Sequence, residues 1–109
     1  MDKMTYVIDI DQTICRTNES DYENSEPMQH RIDAVNKLYD DGHTVLFLTA
    51  RGMCRNKNDQ QASITELYDF TFNQLTGWGV KFHQLFLGKP AGDIYIDDKG
   101  CKDIDFFDE

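Results

Sequence analysis

The chain has 109 residues, a formal net charge of -9 and three cysteines, enough for one domain (1-109) around a single core and too short for a catalytic domain plus a large cap. The acidic balance disfavours broad binding to nucleic-acid phosphates, although a local basic patch could still receive a small anion. Cys15, Cys54 and Cys101 form no CxxC pair and no histidine stands at zinc-finger spacing, so free thiols are expected, and with neither a secretory N-terminus nor a membrane-length apolar run the expectation is a soluble, cytoplasmic protein with no membrane partner.

Thr5 to Ile10 is β-branched and aromatic up to its aspartates, the pattern of a central strand buried on both faces of a parallel sheet. From Asp11 to Glu26 the chain is polar and reads as a long loop over the strand's carboxyl end, with Pro27 placed where a helix begins. Ile32, Val35, Leu38 and Tyr39 recur at helical spacing and Gly42 follows as a stop. Thr44 to Leu48 is a second buried strand, closed by Thr49-Ala50-Arg51-Gly52 and a polar loop to about Gln61.

Ile64, Leu67, Tyr68, Phe72 and Leu75 mark a second amphipathic helix that stops at Gly77-Trp78-Gly79. Gln84 to Leu87 reads as a third strand and Asp93 to Ile96 as a fourth, ending in Asp97-Asp98. Only Gly88 to Gly92 separate these last two, far fewer residues than a parallel crossover needs, so one of them is expected to be antiparallel or irregular. Cys101 to Glu109, with Ile104, Phe106 and Phe107, suggests a short helix on the sheet edge. The order of elements implies an α/β fold, a Rossmann-like, mostly parallel sheet flanked by helices in three α/β/α layers.

Asp9 and Asp11 stand one residue apart at the end of the first strand. In extended chain they share a face, where two anions repel unless a cation or a phosphate site fills the gap. On their own they would serve equally as turn or capping residues. In open parallel sheets, however, ligands bind beyond the strands' carboxyl ends, and Asp9, Asp11, Thr49, Asp97 and Asp98 all fall there in this reading. Lys89, in Gly88-Lys89-Pro90, is the cation that could neutralise a phosphate among those carboxylates.

The ordered set Asp9-x-Asp11-x-Thr13, Thr49 after a strand, Lys89, and Asp97-Asp98 resembles the haloacid dehalogenase (HAD) phosphatase superfamily over about Tyr6 to Lys99. Leu48-Thr49-Ala50-Arg51-Gly52 and the stretch from Gly88-Lys89-Pro90 to Tyr95-Ile96-Asp97-Asp98-Lys99 resemble its small capless members found with capsular or surface polysaccharide synthesis. Two departures stand out. Gln12 replaces the glycine common after the second aspartate, and the link carrying Lys89 is too short for the helix that often presents this lysine.

The resemblance implies a HAD-like fold without a large cap and a magnesium-dependent hydrolase acting on a small phosphate monoester, a sugar phosphate or related metabolite. Asp9 would attack phosphorus to form an aspartyl-phosphate. Asp11 would protonate the leaving oxygen and then deprotonate the attacking water. Asp9, Asp11, Asp97 and Asp98 would serve the Mg2+ ion, Asp11 through its backbone carbonyl and Asp98 either through water or by orienting Asp97. Thr49, Ala50, Arg51 and Lys89 would bind the substrate's phosphoryl group or a second anionic group, and Thr13 would brace the nucleophile loop.

Arg51, Arg55 and Lys57 make a local positive cluster that serves equally as a solvated surface loop. His30, His43 and His83 show no ligand spacing and are expected at the surface or at helix ends. A second copy of the chain, the loops at Arg16 to Glu26 and Gly52 to Gln61, or the substrate itself would have to close an open site. The alternatives are a nucleotide or polymer-end phosphatase or phosphotransferase, and a non-catalytic metal- and phosphate-binding module.

Overall fold

The computed structural model describes residues 2–109, and in it three strands pair in parallel in the order β1 (Thr5–Ile8), β4 (Thr44–Thr49), β5 (Gln84–Leu87). Tyr6 stands against Val45 and Ile8 against Phe47, while Leu46 stands against Gln84 and Thr49 against Leu87. The middle strand is therefore β4, and β1 lies at the sheet's edge, contrary to the expectation that the first strand is central. Its continuous apolar run comes from different demands at each position. Ile8 and Ile10 enter the core, whereas Val7 is 60 % exposed.

Helix α1 (Gln29–Asp40) carries the chain from β1 to β4, burying Ile32 and Val35, with Leu38 and Tyr39 packed against the same core. It ends where Gly42 takes a positive φ of 93° and the next N–H groups turn back to the carbonyls of Tyr39 and Leu38, a conformation that favours glycine. Helix α2 (Gln60–Gly77) makes the second crossover. It starts earlier than the polar run suggests because the Asp59 carboxylate accepts the Ala62 N–H at 3.1 Å, satisfying a first-turn donor. Its inner stripe is Ser63, Leu67, Thr71 and Leu75, while Ile64 and Phe72 are exposed.

The stretch after β1 is more ordered than a loop. β2 (Cys15–Arg16) and β3 (Glu26–Pro27) pair antiparallel around a single 3₁₀ turn at Tyr22–Asn24. The fourth strand expected at Asp93 to Ile96 does not form, and Ile94 and Ile96 are 79 % and 92 % exposed. A five-residue link cannot carry the chain back for another parallel pairing. β5 itself is parallel to β4.

The short helix expected near the end is present as α3 (Asp103–Phe106), with Phe106 5.7 Å from the Tyr6 ring on β1. The segment is held by Arg31, which is buried in α1 and binds Glu109 through Nε and Nη2, Asp103 at 2.7 Å and the Thr13 carbonyl at 3.0 Å, under the Phe107 ring. A buried guanidinium needs such partners. His43 is also buried, its Nδ1 accepting the Met4 N–H, and His83 does the same for the Val45 N–H. Both histidines thus satisfy backbone donors at strand starts, a role their spacing did not indicate.

The Arg31 contact holds the Glu109 carboxyl well below its usual range, from 4.5 to about 2, with the hydrogen bond to Arg31 the main cause. A depressed acid stabilises the fold above its unfolded value and loses that contribution as pH falls through the folded one. Glu109→Gln is expected to lower the thermal midpoint at neutral pH, and the gap to wild type should close between about pH 4.5 and 2. Midpoints read by circular dichroism across that range check it.

Candidate active site

Three parallel strands leave the sheet on one side, and the loops that follow them carry Asp9 to Thr13, Thr49 to Gly52, and Gly88-Lys89. The first loop folds back on itself, the Thr13 and Ile14 N–H groups both donating to the Ile10 carbonyl. Gln12 takes a positive φ of 64°, a conformation that disfavours a side chain. Its amide offsets that cost by donating to the Thr17 carbonyl and accepting the Thr17 N–H.

Asp9 stands with its carboxylate partly open, the Lys89 ammonium 4.0 Å from Oδ1 and the Thr13 hydroxyl 3.4 Å from Oδ2. Partial burial pushes its carboxyl above the ordinary range, and the negative charge of Asp11 adds to the rise, while Lys89, the Ile10 N–H and Thr13 pull it back. Lys89 is shared. Its Nζ also lies 4.3 Å from the Tyr95 ring centre, and its backbone N–H donates to the Thr49 carbonyl. Thr49 is buried, and its hydroxyl accepts the Arg51 N–H at 3.1 Å.

Asp11 is the most heavily bonded member. Its Oδ1 accepts the Thr17 hydroxyl at 2.6 Å and the Arg51 Nη2 at 3.0 Å, and its Oδ2 accepts the Arg51 Nε at 3.0 Å. Arg51 is completely enclosed, its guanidinium 4.7 Å from the Tyr22 ring centre and its Nη1 3.4 Å from the Thr71 hydroxyl. Arg51 was expected to bind substrate from a surface loop beside Arg55 and Lys57. Instead it is internal, and of the three only Arg55 and Lys57 are exposed, with Arg55 paired to Glu66 at 3.2 Å. Gly52 explains the turn that sends Arg51 inward, since at φ 79° a Cβ there would lie 2.8 Å from Leu67 Cδ1.

Asp97 and Asp98 do not join the site. Both are exposed, and the Asp97 carboxylate caps its own turn by accepting the Lys99 and Gly100 N–H groups. Among the described residues no three His, Cys, Asp or Glu side chains gather closely enough to hold a metal ion between them. The loops after β4 and β5 are stitched together, Gln60 donating to the Gly88 carbonyl and Asn58 accepting the Ala91 N–H. The supporting residues Thr17, Tyr22 and Thr71 escaped sequence reasoning. For Thr71 a signal existed, a hydroxyl four residues from both Leu67 and Leu75 on the helix's inner stripe.

The fold and the placement of these loops define a small α/β domain with a three-stranded parallel sheet flanked by helices, consistent with a Rossmann-like arrangement. A solved protein from Vibrio cholerae, described as an MCSG target, superposes on it with a TM-score of 0.88 and 23 % sequence identity, over 97 % of this chain and 89 % of that one. No family model and no curated protein matches the chain. No helix is long and apolar enough to cross a membrane among the described residues.

A carboxyl pushed up by burial and by a neighbouring anion costs the fold stability while it is ionised. Asp9→Asn is therefore expected to raise the thermal midpoint at neutral pH. The gain should fade as pH falls through the raised Asp9 value, where wild type becomes neutral as well. Calorimetry of both proteins from neutral pH down through the acid range in which the fold persists checks this.

Proposed function

We propose that this chain is a HAD-type phosphatase that hydrolyses a small phosphate monoester, a sugar phosphate or a related metabolite, through an aspartyl-phosphate and with magnesium. The observation that carries the reading is Asp9 facing the Lys89 ammonium at 4.0 Å, with Asp11 clamped two residues away. A nucleophile, a cation for the transferred phosphoryl group and a second carboxylate for proton transfer are the parts that phosphoryl transfer needs.

In this reading an Asp9 oxygen forms a bond to phosphorus as the bond to the leaving oxygen breaks, and Asp11 gives that oxygen a proton. Water then attacks the same phosphorus, Asp11 takes its proton, and the bond to Asp9 breaks to free inorganic phosphate and restore both carboxyls. Lys89 stabilises the equatorial phosphoryl oxygens, and the Thr49 hydroxyl and the backbone around Ala50 contribute donors from the β4 loop.

Magnesium is commonly held by one or two carboxylates, with water and substrate phosphate in its other positions. The partly open Asp9 fits such a ligand set; Asp97 enters it only by giving up its turn-capping bonds to Lys99 and Gly100. When bound, the ion supplies positive charge beside the phosphoryl oxygens. The preference for a sugar phosphate rests on the resemblance to capless phosphatases of surface polysaccharide synthesis.

Phosphate release from sugar phosphates, nucleotides and 4-nitrophenyl phosphate, with and without magnesium, tests the proposal. Turnover is expected only with the metal, and Asp9→Asn is expected to lower it by at least about 10³-fold. Turnover that survives in Asp9→Asn would sink the mechanism. Lys89→Met offers a separate check: removing a cation that lowers the Asp9 value leaves that carboxyl higher. The acid limb of kcat/KM should then move to higher pH, in addition to a fall in the plateau.

A further inference from the structure

We infer that Arg51 is a positioning residue for the proton-transferring carboxylate and makes no contact with substrate. The inference rests on the phosphatase reading above. A guanidinium that binds phosphate must present its N–H edge to the ligand. Here Nε and Nη2 are directed at Asp11, Nη1 lies 3.4 Å from the Thr71 hydroxyl, and one face lies against Tyr22. The Arg51 side chain is 0 % exposed while that of Asp11 is 22 % exposed, so the cation lies inside the protein and only the anion reaches the site.

The bonding of Asp11 is unequal, and that inequality selects one oxygen. Oδ1 receives the Thr17 hydroxyl, the Arg51 Nη2, a longer contact of 3.3 Å from Nε and the Cys15 thiol at 3.6 Å. Oδ2 receives only the Arg51 Nε. A carboxylate oxygen with two lone pairs and one partner has a site left for a proton, and the geometry assigns proton exchange with the leaving group to Oδ2. The clamp has its own support. Tyr22 lies over Arg51 and accepts the Gly52 N–H at 3.0 Å, and Thr17 is bonded to the Ser25 hydroxyl at 2.6 Å. The loop after β1, the turn after β4 and helix α2 thus set the orientation of one carboxyl group.

In the step that forms the aspartyl-phosphate, a proton donor matters in proportion to how badly the leaving group needs a proton. Nitrophenolate departs readily without one, whereas phenolate does so poorly. The second step, in which Asp11 deprotonates water, is common to both substrates, so kcat/KM, which reads only as far as the covalent intermediate, is the quantity to compare. The experiment compares wild type with Arg51→Lys on 4-nitrophenyl phosphate and phenyl phosphate in saturating magnesium. Arg51→Lys should lower kcat/KM on phenyl phosphate by about 10²-fold or more, the size of a general-acid contribution. On 4-nitrophenyl phosphate the fall in kcat/KM should stay within about tenfold. An equal fall in kcat/KM on both substrates, as a substrate ligand or a merely structural residue would give, overturns the inference.

The clamp also has a readout that needs no turnover. In wild type the Arg51 Nε–H should exchange slowly with water in a ¹⁵N spectrum, and Asp11→Asn should speed that exchange. Free-arginine exchange in wild type would overturn the inference even in an active enzyme. An inactive wild type with a protected Nε–H would instead overturn the phosphatase reading, and with it the role assigned to Oδ2.

Discussion

Parallel pairing is the constraint on which the rest of this molecule depends. Because β1, β4 and β5 run the same way, each must be followed by a loop at the same end of the sheet, and the helices must carry the chain back. Three stretches remote in sequence therefore meet without any long-range signal in the sequence beyond the strands themselves. The ion pairs of the site, from Lys89 to Asp9 and from Arg51 to Asp11, are made between loops brought together in this way.

The site also concentrates unfavourable electrostatics. Two carboxylates stand close together, one of them raised by partial burial, in a chain that is already strongly acidic. The protein answers each differently. Asp11 receives a wholly buried guanidinium, a pairing whose desolvation offsets much of its attraction and which is therefore weak evidence of stabilisation. Asp9 receives a flexible ammonium at 4.0 Å that is shared with an aromatic ring. One carboxylate is fixed in orientation, while the other keeps a partner that an incoming anion can draw away. That division suits the proposed mechanism, in which Asp11 moves protons and Asp9 reacts.

Much of this was legible in the residues. The helical spacing of Ile32 and Val35, the stop at Gly42, the strands around Val45 and Leu85 and the short helix near Phe106 all follow from local pattern, and local pattern is what sequence records well. Asp9, Asp11, Thr49 and Lys89 were legible because the carboxyl ends of parallel strands are fixed once the strands are known. Other features were not, among them three that bear on the site. Ile94 to Ile96 has strand composition, but the short link from β5 denies it another parallel pairing. Arg51 looks like a surface cation until Gly52 and Tyr22 are seen to turn it inward. Asp97 loses its place because two neighbouring N–H groups take its carboxylate, a local competition that favours turns wherever Asp is available.

The bonds from Gln60 to Gly88 and from Asn58 to Ala91 join the loop after β4 to the loop that presents Lys89. Both run through backbone atoms of the second loop, so they constrain its path regardless of which side chains it carries. A lengthened or shortened loop on either side would break the register of both bonds. The two segments therefore behave as one mechanical unit, so that resizing one loop calls for resizing the other in step, whereas replacing an exposed side chain such as Lys57 leaves both bonds in place.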